Sequence, residues 1–177
     1  MLRSTGHARQ CQPDLFHTLG GATRNLGAGA KEGRVPAERD GDAVPLCGSD
    51  DLVVTVSWER DGPALRGQVI AENVSGRACR LANKPGVTPL RLDGTPLPVD
   101  TTVTLEFMEP GYVILQPGNR AAARVSWTSW CGQQASDQAR VDWPGGSTVA
   151  KVQGPVQPEC FQGRSDNLTS YWFALVE

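Results

Sequence analysis

From Cys47 to the end of the chain, short apolar runs alternate with clusters of Gly, Pro, Asp and Asn. Runs of this length separated by turn residues are typical of all-β domains. No stretch has the apolar spacing of three and four residues that marks an amphipathic helix. The sequence therefore predicts an all-β fold, an antiparallel β-sandwich of seven to nine strands with Greek-key connections.

Length and charge limit the kind of protein this is. The chain has 177 residues, 39% of them hydrophobic, which is enough for one domain with a core. Its net charge is −2, whereas domains that bind nucleic acid usually carry a basic excess. No apolar run approaches the ~18 residues of a membrane-spanning helix. We therefore expect no nucleic-acid partner and no transmembrane segment.

The composition changes near Cys47. Residues 1–46 are rich in Gly, Ala and Arg and have few large apolar side chains, which predicts a disordered N-terminal segment. This segment also lacks the apolar core of a signal peptide. We predict that residues 47–177 form the β-sandwich domain.

The first hairpin is predicted from apolar residues at alternate positions in Leu52–Trp58 and Leu65–Ala71, with polar residues between most of them. Placing Trp58 opposite Leu65 brings the two apolar faces to the same side of the sheet. Because Pro63 lacks the N–H that a tight turn at the preceding Asp-Gly would need, we expect a longer loop.

Later strands are predicted between further turn signals, and the Pro-Gly-Gly after Trp143 favours a second hairpin. The predicted segments are Val87–Leu92, Thr102–Met108, Tyr112–Leu115, Ala121–Trp127, Ala139–Trp143, Thr148–Val152 and Tyr171–Val176.

Five cysteines are present, and none forms a CxxC pair, which argues against a zinc ribbon or a thioredoxin-like redox site. The hairpin register brings Cys79 beside Cys47, while Cys131 and Cys160 bracket the second hairpin. We predict the disulfides Cys47–Cys79 and Cys131–Cys160, which require an oxidising compartment. The alternative is a set of buried free thiols in a cytosolic protein. The role of Cys11 stays open.

The run Asn-Val-Ser-Gly-Arg-Ala-Cys-Arg-Leu from Asn73 to Leu81 precedes Pro85-Gly-Val and then Asp93-Gly. This pattern resembles the signature of the actinobacterial domain of unknown function 4232 family, over about residues 47–165. The resemblance implies an exported immunoglobulin-like sandwich, often lipid-anchored or associated with the cell wall, with two disulfides and no assigned activity. Lys84 departs from the pattern, since the family often has an aromatic residue there.

Histidine chemistry is excluded from the predicted domain, because the two histidines are His7 and His17. Without a histidine, Ser-His-Asp and Cys-His nucleophile systems and His-based metal sites cannot form in residues 47–177. We therefore predict no catalytic residues, no metal site and no cofactor.

Paired carboxylates are the remaining catalytic candidates, since a glycoside hydrolase needs two of them opposed across a cleft. The spacing does not show that they converge, and ordinary surface solvation is the competing interpretation. The candidates are Glu106, Glu109, Asp137 and Asp142.

Among the five tryptophans, Trp58 and Trp127 fall on predicted inner faces. Trp130 and Trp143 are candidate binding residues, because an exposed indole can stack on a sugar ring; packing in the core is the alternative. We expect a non-catalytic extracytoplasmic module, either binding or structural, whose partner is an unknown protein or a cell-wall polymer. The alternative function is a carboxylate-dependent hydrolase on a β-sandwich scaffold.

Overall fold

Alternating apolar side chains place ten β-strands around one core in the part of the chain that the structure describes. The structure is a computed structural model that describes residues 43–163 and 165–176. The predicted segment 1–46 lies outside these residues except for 43–46, and so does Cys11. The strands are β1 (Leu52–Asp61), β2 (Ala64–Asn73), β3 (Cys79–Ala82), β4 (Gly86–Arg91), β5 (Asp100–Val103), β6 (Tyr112–Leu115), β7 (Arg120–Trp127), β8 (Ala135–Trp143), β9 (Gly146–Gln153) and β10 (Asn167–Val176).

Eight of these strands form one sheet in the order β4-β8-β9-β1-β2-β7-β10-β5, and β3 pairs with β6 in a small second sheet. After β4 the chain turns back along it, and the Leu97 N–H donates to the Pro89 carbonyl at 2.9 Å. The same segment then pairs as β5 with β10, at the other end of the strand order. Strand β4 also contacts β5 and β10, so the large sheet curls around its core.

The core is built from alternate positions of the large sheet, as the sequence predicts. Leu52, Val54, Val56 and Trp58 of β1 are all buried. Trp58 lies opposite Gly67 of β2, where an added Cβ would collide with the Trp58 ring and the neighbouring backbone. Glycine is therefore required at this position, because the Ser57 carbonyl and then the indole occupy the space that a side chain would fill.

The predicted all-β fold with two disulfides is confirmed, but several details differ. The described residues contain ten strands, and the pairs β1–β9 and β5–β10 are parallel. Parallel neighbours need a long crossover instead of a hairpin, so no local signal in the sequence marks them. Strand β3 was not predicted; it has only four residues.

The predicted register of the first hairpin is wrong by two residues. Trp58 pairs with Gly67, and Leu65 pairs with Arg60. The turn consists of Gly62 and Pro63 alone, with φ of +61° at Gly62, which suits the first central position of a type II′ turn. Pro63 is the second central residue, where its N–H is not needed, so the expected longer loop does not form.

The strand predicted over Thr102–Met108 is also too long, because β5 ends at Val103. The Thr104 N–H still donates to the Ser170 carbonyl of β10 at 3.2 Å, and after it the backbone leaves the ladder and is bound by side chains. The Glu106 carbonyl accepts hydrogen bonds from Lys84 Nζ at 2.9 Å and from Trp172 Nε1 at 2.8 Å. Side-chain donors therefore replace the strand partner here.

Candidate ligand-binding groove on the large sheet

The two predicted disulfides are both present, Cys47–Cys79 and Cys131–Cys160. The first joins the segment before β1 to β3, where the Cys47 N–H donates to the Arg80 carbonyl at 3.0 Å. That contact belongs to the small-sheet side of the domain and is not an extension of the β1–β2 ladder. The pairing was correct although the register used to derive it was not. Two disulfides are consistent with an oxidising compartment.

The Asn73–Leu81 motif has a structural role. Asn73 is fully buried, and its Nδ2 donates to the carbonyls of Arg77 at 2.8 Å and Leu115 at 2.9 Å. The Ser75 hydroxyl donates to Asn73 Oδ1 at 2.8 Å, and Arg77 pairs with buried Asp51 at 3.3 Å. We call Asn73, Ser75, Arg77 and Asp51 the Asn73 cluster. It ties β2, the β2–β3 loop, the turn before β1 and β6 together.

Within this cluster, hydrogen bonding lowers the pKa of Asp51. The largest cause is the Gly48 backbone N–H, which donates to Asp51 Oδ2 at 2.8 Å, and the Arg77 guanidinium adds to the effect. Both stabilise the ionised carboxylate. Asp51 is therefore a structural anion and not a proton donor at neutral pH.

Trp130 and Trp143, the candidate binding residues, are both in the core, with exposures of 5% and 8%. Each indole N–H is bound internally, Trp130 Nε1 to the Gln133 carbonyl and Trp143 Nε1 to the Cys47 carbonyl. Burial leaves neither ring a free face on which a sugar could stack. The structure thus favours packing for both residues, and a binding surface needs other side chains.

The candidate carboxylates are dispersed. Glu106 lies 3.9 Å from Arg124, Asp142 is bound by Arg140 at 3.1 Å, and Asp137 is exposed on β8. Glu109 lines a separate hollow beside Trp172. Within residues 43–163 and 165–176, no cluster of three or more His, Cys, Asp or Glu could hold a metal ion.

A groove of about 640 Å³ crosses the outer face of the large sheet. It was not predicted. We call it the sheet groove. Its main polar and aromatic lining residues are Ser57 and Glu59 of β1, Arg66 and Gln68 of β2, Arg124 and Ser126 of β7, and Tyr171 of β10.

Strand register aligns these side chains in rows across the sheet. Ser57 pairs with Gln68 and Gln68 with Arg124, which forms one row. Glu59 pairs with Arg66 and Arg66 with Ser126, which forms the next row. Neighbouring strands are about 4.8 Å apart, so each row extends for about 10 Å.

Most polar side chains in the sheet groove make no hydrogen bond within the described part of the chain. Among the described residues, the side chains of Ser57, Glu59, Gln68 and Ser126 have no hydrogen-bond partner. The Arg124 guanidinium lies over the Tyr171 ring at 4.6 Å and approaches Glu106 no closer than 3.9 Å. Only Arg66 is tightly held, by Asp61 at 2.6 Å.

A second exposed surface has different chemistry. Leu105 and Phe107, with exposures of 102% and 87%, point outward from the segment after β5. The backbone between them is fixed through Glu106 by Lys84 and Trp172. Lys84 also lies over the Trp172 ring at 5.0 Å, which gives a role to the residue that departs from the family pattern.

Comparison with known proteins supports one assignment. No described helix has the length and apolar character needed to cross a bilayer. Neither the curated proteins nor the solved structures include a significant match to the chain. A family model described as Domain of unknown function (DUF4232) matches residues 47–169, which is more than half of the chain. The resemblance found in the sequence is thereby confirmed, and the chain belongs to the DUF4232 family.

Proposed function

We propose that this domain is a non-catalytic binding module of the cell envelope that holds its ligand in the sheet groove. The observation that carries this proposal is the set of unpartnered polar side chains in the groove. An exposed polar side chain normally bonds to water, and a ligand that replaces several such waters at once gains affinity and orientation. Rigid strands hold these side chains, so little ordering is needed on binding.

Chemistry supports binding over catalysis. Proton transfer near neutral pH is usually done by histidine, and residues 47–177 contain none. The carboxylates of Glu106 and Asp142 each lie beside an arginine, and Asp61 in the groove is paired with Arg66. Each of these carboxylates already has an arginine partner, whereas a glycoside hydrolase needs two carboxylates that face each other across a cleft.

Two features support a place outside the cytoplasm. The disulfides Cys47–Cys79 and Cys131–Cys160 persist in oxidising compartments and are rare in reducing ones. The family resemblance adds the expectation of an exported, envelope-associated domain. The partner in that setting is a cell-wall polymer, which the elongated polar groove suits better than a small apolar molecule.

The test is co-sedimentation of the full-length, oxidised protein with insoluble cell-wall material from the source organism. We expect the protein to bind, and the double substitution Ser57→Ala and Gln68→Ala to weaken binding. Gln138→Ala is the matched control, since Gln138 is exposed on β8 and outside the groove. Both variants should keep the parent melting temperature.

Two results would count against the proposal. Loss of binding in Gln138→Ala to the same degree as in the double variant would place the ligand elsewhere. Release of reducing sugar or acid during the incubation, abolished by Glu106→Gln or Glu109→Gln, would instead establish the carboxylate-dependent hydrolase.

A further inference from the structure

We infer that the ligand of the sheet groove is a saccharide chain that bears carboxylate groups, with Arg124 as the residue that binds the carboxylate. This inference rests on the proposed function and adds the chemical class of the ligand. It comes from the state of one arginine, from the neighbours in its row, and from the charge of the groove as a whole.

Arg124 is oriented by its neighbours but keeps N–H groups that are open to a ligand. Its guanidinium is stacked over Tyr171 at 4.6 Å, which fixes the plane of the group. Its nearest carboxylate, on Glu106, is 3.9 Å away and beyond hydrogen-bond distance. Among residues 43–163 and 165–176 no atom accepts a hydrogen bond from the Arg124 guanidinium. The edge of a planar guanidinium in this state is ready for a bidentate carboxylate.

The neighbours of Arg124 suit hydroxyl groups. Gln68 and Ser57 continue its row, and both can donate and accept hydrogen bonds. Glu59 in the next row is an unpartnered acceptor, which a sugar hydroxyl can satisfy. A chain of sugar units presents hydroxyls at intervals along its length, so one carboxylate and several hydroxyls can be bound together.

The charge of the groove favours a ligand whose negative charges are well separated. Among the described residues, Arg66 is paired with Asp61, Arg124 keeps open N–H groups, and Glu59 contributes a negative charge with no ion-pair partner. Glu59 and Asp61 would repel a ligand with closely spaced negative charges, whereas a saccharide that carries isolated carboxylates among neutral hydroxyls is tolerated. Acidic polypeptides lack the hydroxyls that Gln68, Ser57 and Glu59 would bind.

The experiment measures binding of full-length, oxidised protein to soluble polymers by affinity electrophoresis and calorimetry. The carboxylated probes are polygalacturonate, alginate and hyaluronate. The matched control is polygalacturonate whose carboxyl groups have been reduced to alcohols. Polyglutamate and a glycerol-phosphate polymer are the other arms. We expect at least one carboxylated saccharide to bind, and binding to weaken as NaCl is raised.

The variant arm uses Arg124→Gln, which should weaken binding by about 10- to 100-fold, the effect of losing a charge-assisted hydrogen-bonded pair. Arg124→Lys keeps the charge but loses the planar fork, and should also weaken binding. Arg140→Gln on β8 removes the same charge outside the groove and should leave binding unchanged.

Three results would overturn the inference. They are no binding to any carboxylated saccharide, equal binding to the reduced polymer, and stronger binding to polyglutamate or the phosphate polymer. Cell-wall co-sedimentation that depends on Ser57 and Gln68 would still uphold the proposed function in each case, so the two failures can be told apart.

Discussion

The Asn73 cluster and the sheet groove contain the same four kinds of polar group in opposite states. Each has an amide, a hydroxyl, a guanidinium and a carboxylate. In the cluster all four groups bond to one another or to nearby backbone atoms, whereas in the groove the amide, the hydroxyl and the carboxylate have no partner among the described residues. The pairs are Asn73 and Gln68, Ser75 and Ser57, Arg77 and Arg124, and Asp51 and Glu59.

This contrast separates structure from binding. A buried polar group whose bonds are made inside the protein contributes to stability, and its loss leaves partners unsatisfied. An exposed polar group without a protein partner contributes little to folding and is available to a ligand. The family signature lies in the cluster, so the signature identifies the fold, whereas the groove is where we place the function.

The largest expected effect is loss of the disulfide beside the cluster. The double variant Cys47→Ala and Cys79→Ala opens a loop whose ends are 32 residues apart. Chain-entropy reasoning then predicts a loss of about 3.5 kcal/mol in the free energy of unfolding. Denaturant unfolding monitored by tryptophan fluorescence measures it.

Groove binding provides the control for this variant. At temperatures where the variant is folded, its affinity for a groove ligand should equal that of the parent. A stability loss below about 1 kcal/mol would show that other contacts already constrain this end of the unfolded chain.

The amide pair gives the next largest contrast. Asn73→Ala removes the donor to two carbonyls, those of Arg77 and Leu115, and should cost about 3 kcal/mol. Gln68→Ala should change stability by less than about 0.5 kcal/mol, as is usual at exposed sites. Urea unfolding of both variants checks this, and similar losses in the two would remove the distinction between cluster and groove.

The alternation of apolar and polar residues along the strands made the core of this fold predictable. The inner faces of β1, β2 and β7 follow period-2 patterns that local sequence reveals, and they survive an error in register. The β1–β2 error of two residues left every side chain on its correct face, because a shift by an even number preserves the pattern. A shift by one residue would have placed the apolar side chains on the solvent face.

The sheet groove was not predictable in the same way. Ser57, Glu59, Arg66 and Gln68 look like any solvated outer face, which is how polar alternation is normally interpreted. Their neighbours Arg124 and Tyr171 come from strands distant in sequence, and no local pattern states that β7 lies beside β2. The sequence instead favours Trp130 and Trp143 as binding residues, and both are buried in the core.

The two arginines of this comparison, Arg77 and Arg124, should differ in how their loss affects stability at different pH. Since hydrogen bonds lower the pKa of Asp51 in the folded protein, the unfolded chain binds more protons in acid. The stabilisation is fully present above the ordinary carboxyl pKa and is lost as the pH falls through the lower folded pKa. Arg77→Gln should therefore cost about 1 kcal/mol at pH 7 and much less in strong acid.

Arg124→Gln is the control, since it should leave unfolding free energy unchanged at both pH values. Urea unfolding near pH 7 and below pH 4 measures the two variants. An Arg77→Gln penalty that is equal at both ends of this range would show that the guanidinium packs without supporting the Asp51 charge.

The smallest expected effect on stability is that of the ion pair in the sheet groove. Arg66 and Asp61 in the sheet groove are 2.6 Å apart, nearer than Arg77 and Asp51 at 3.3 Å. Distance alone would make the groove pair the stronger one. Its side chains are 75% and 49% exposed, however, whereas that of Asp51 is 9% exposed, and water screens the exposed pair. Arg66→Gln should therefore lower stability by less than about 0.5 kcal/mol, with the difference vanishing in 1 M NaCl. A larger, salt-independent loss would mean that the groove shares the structural role of the cluster.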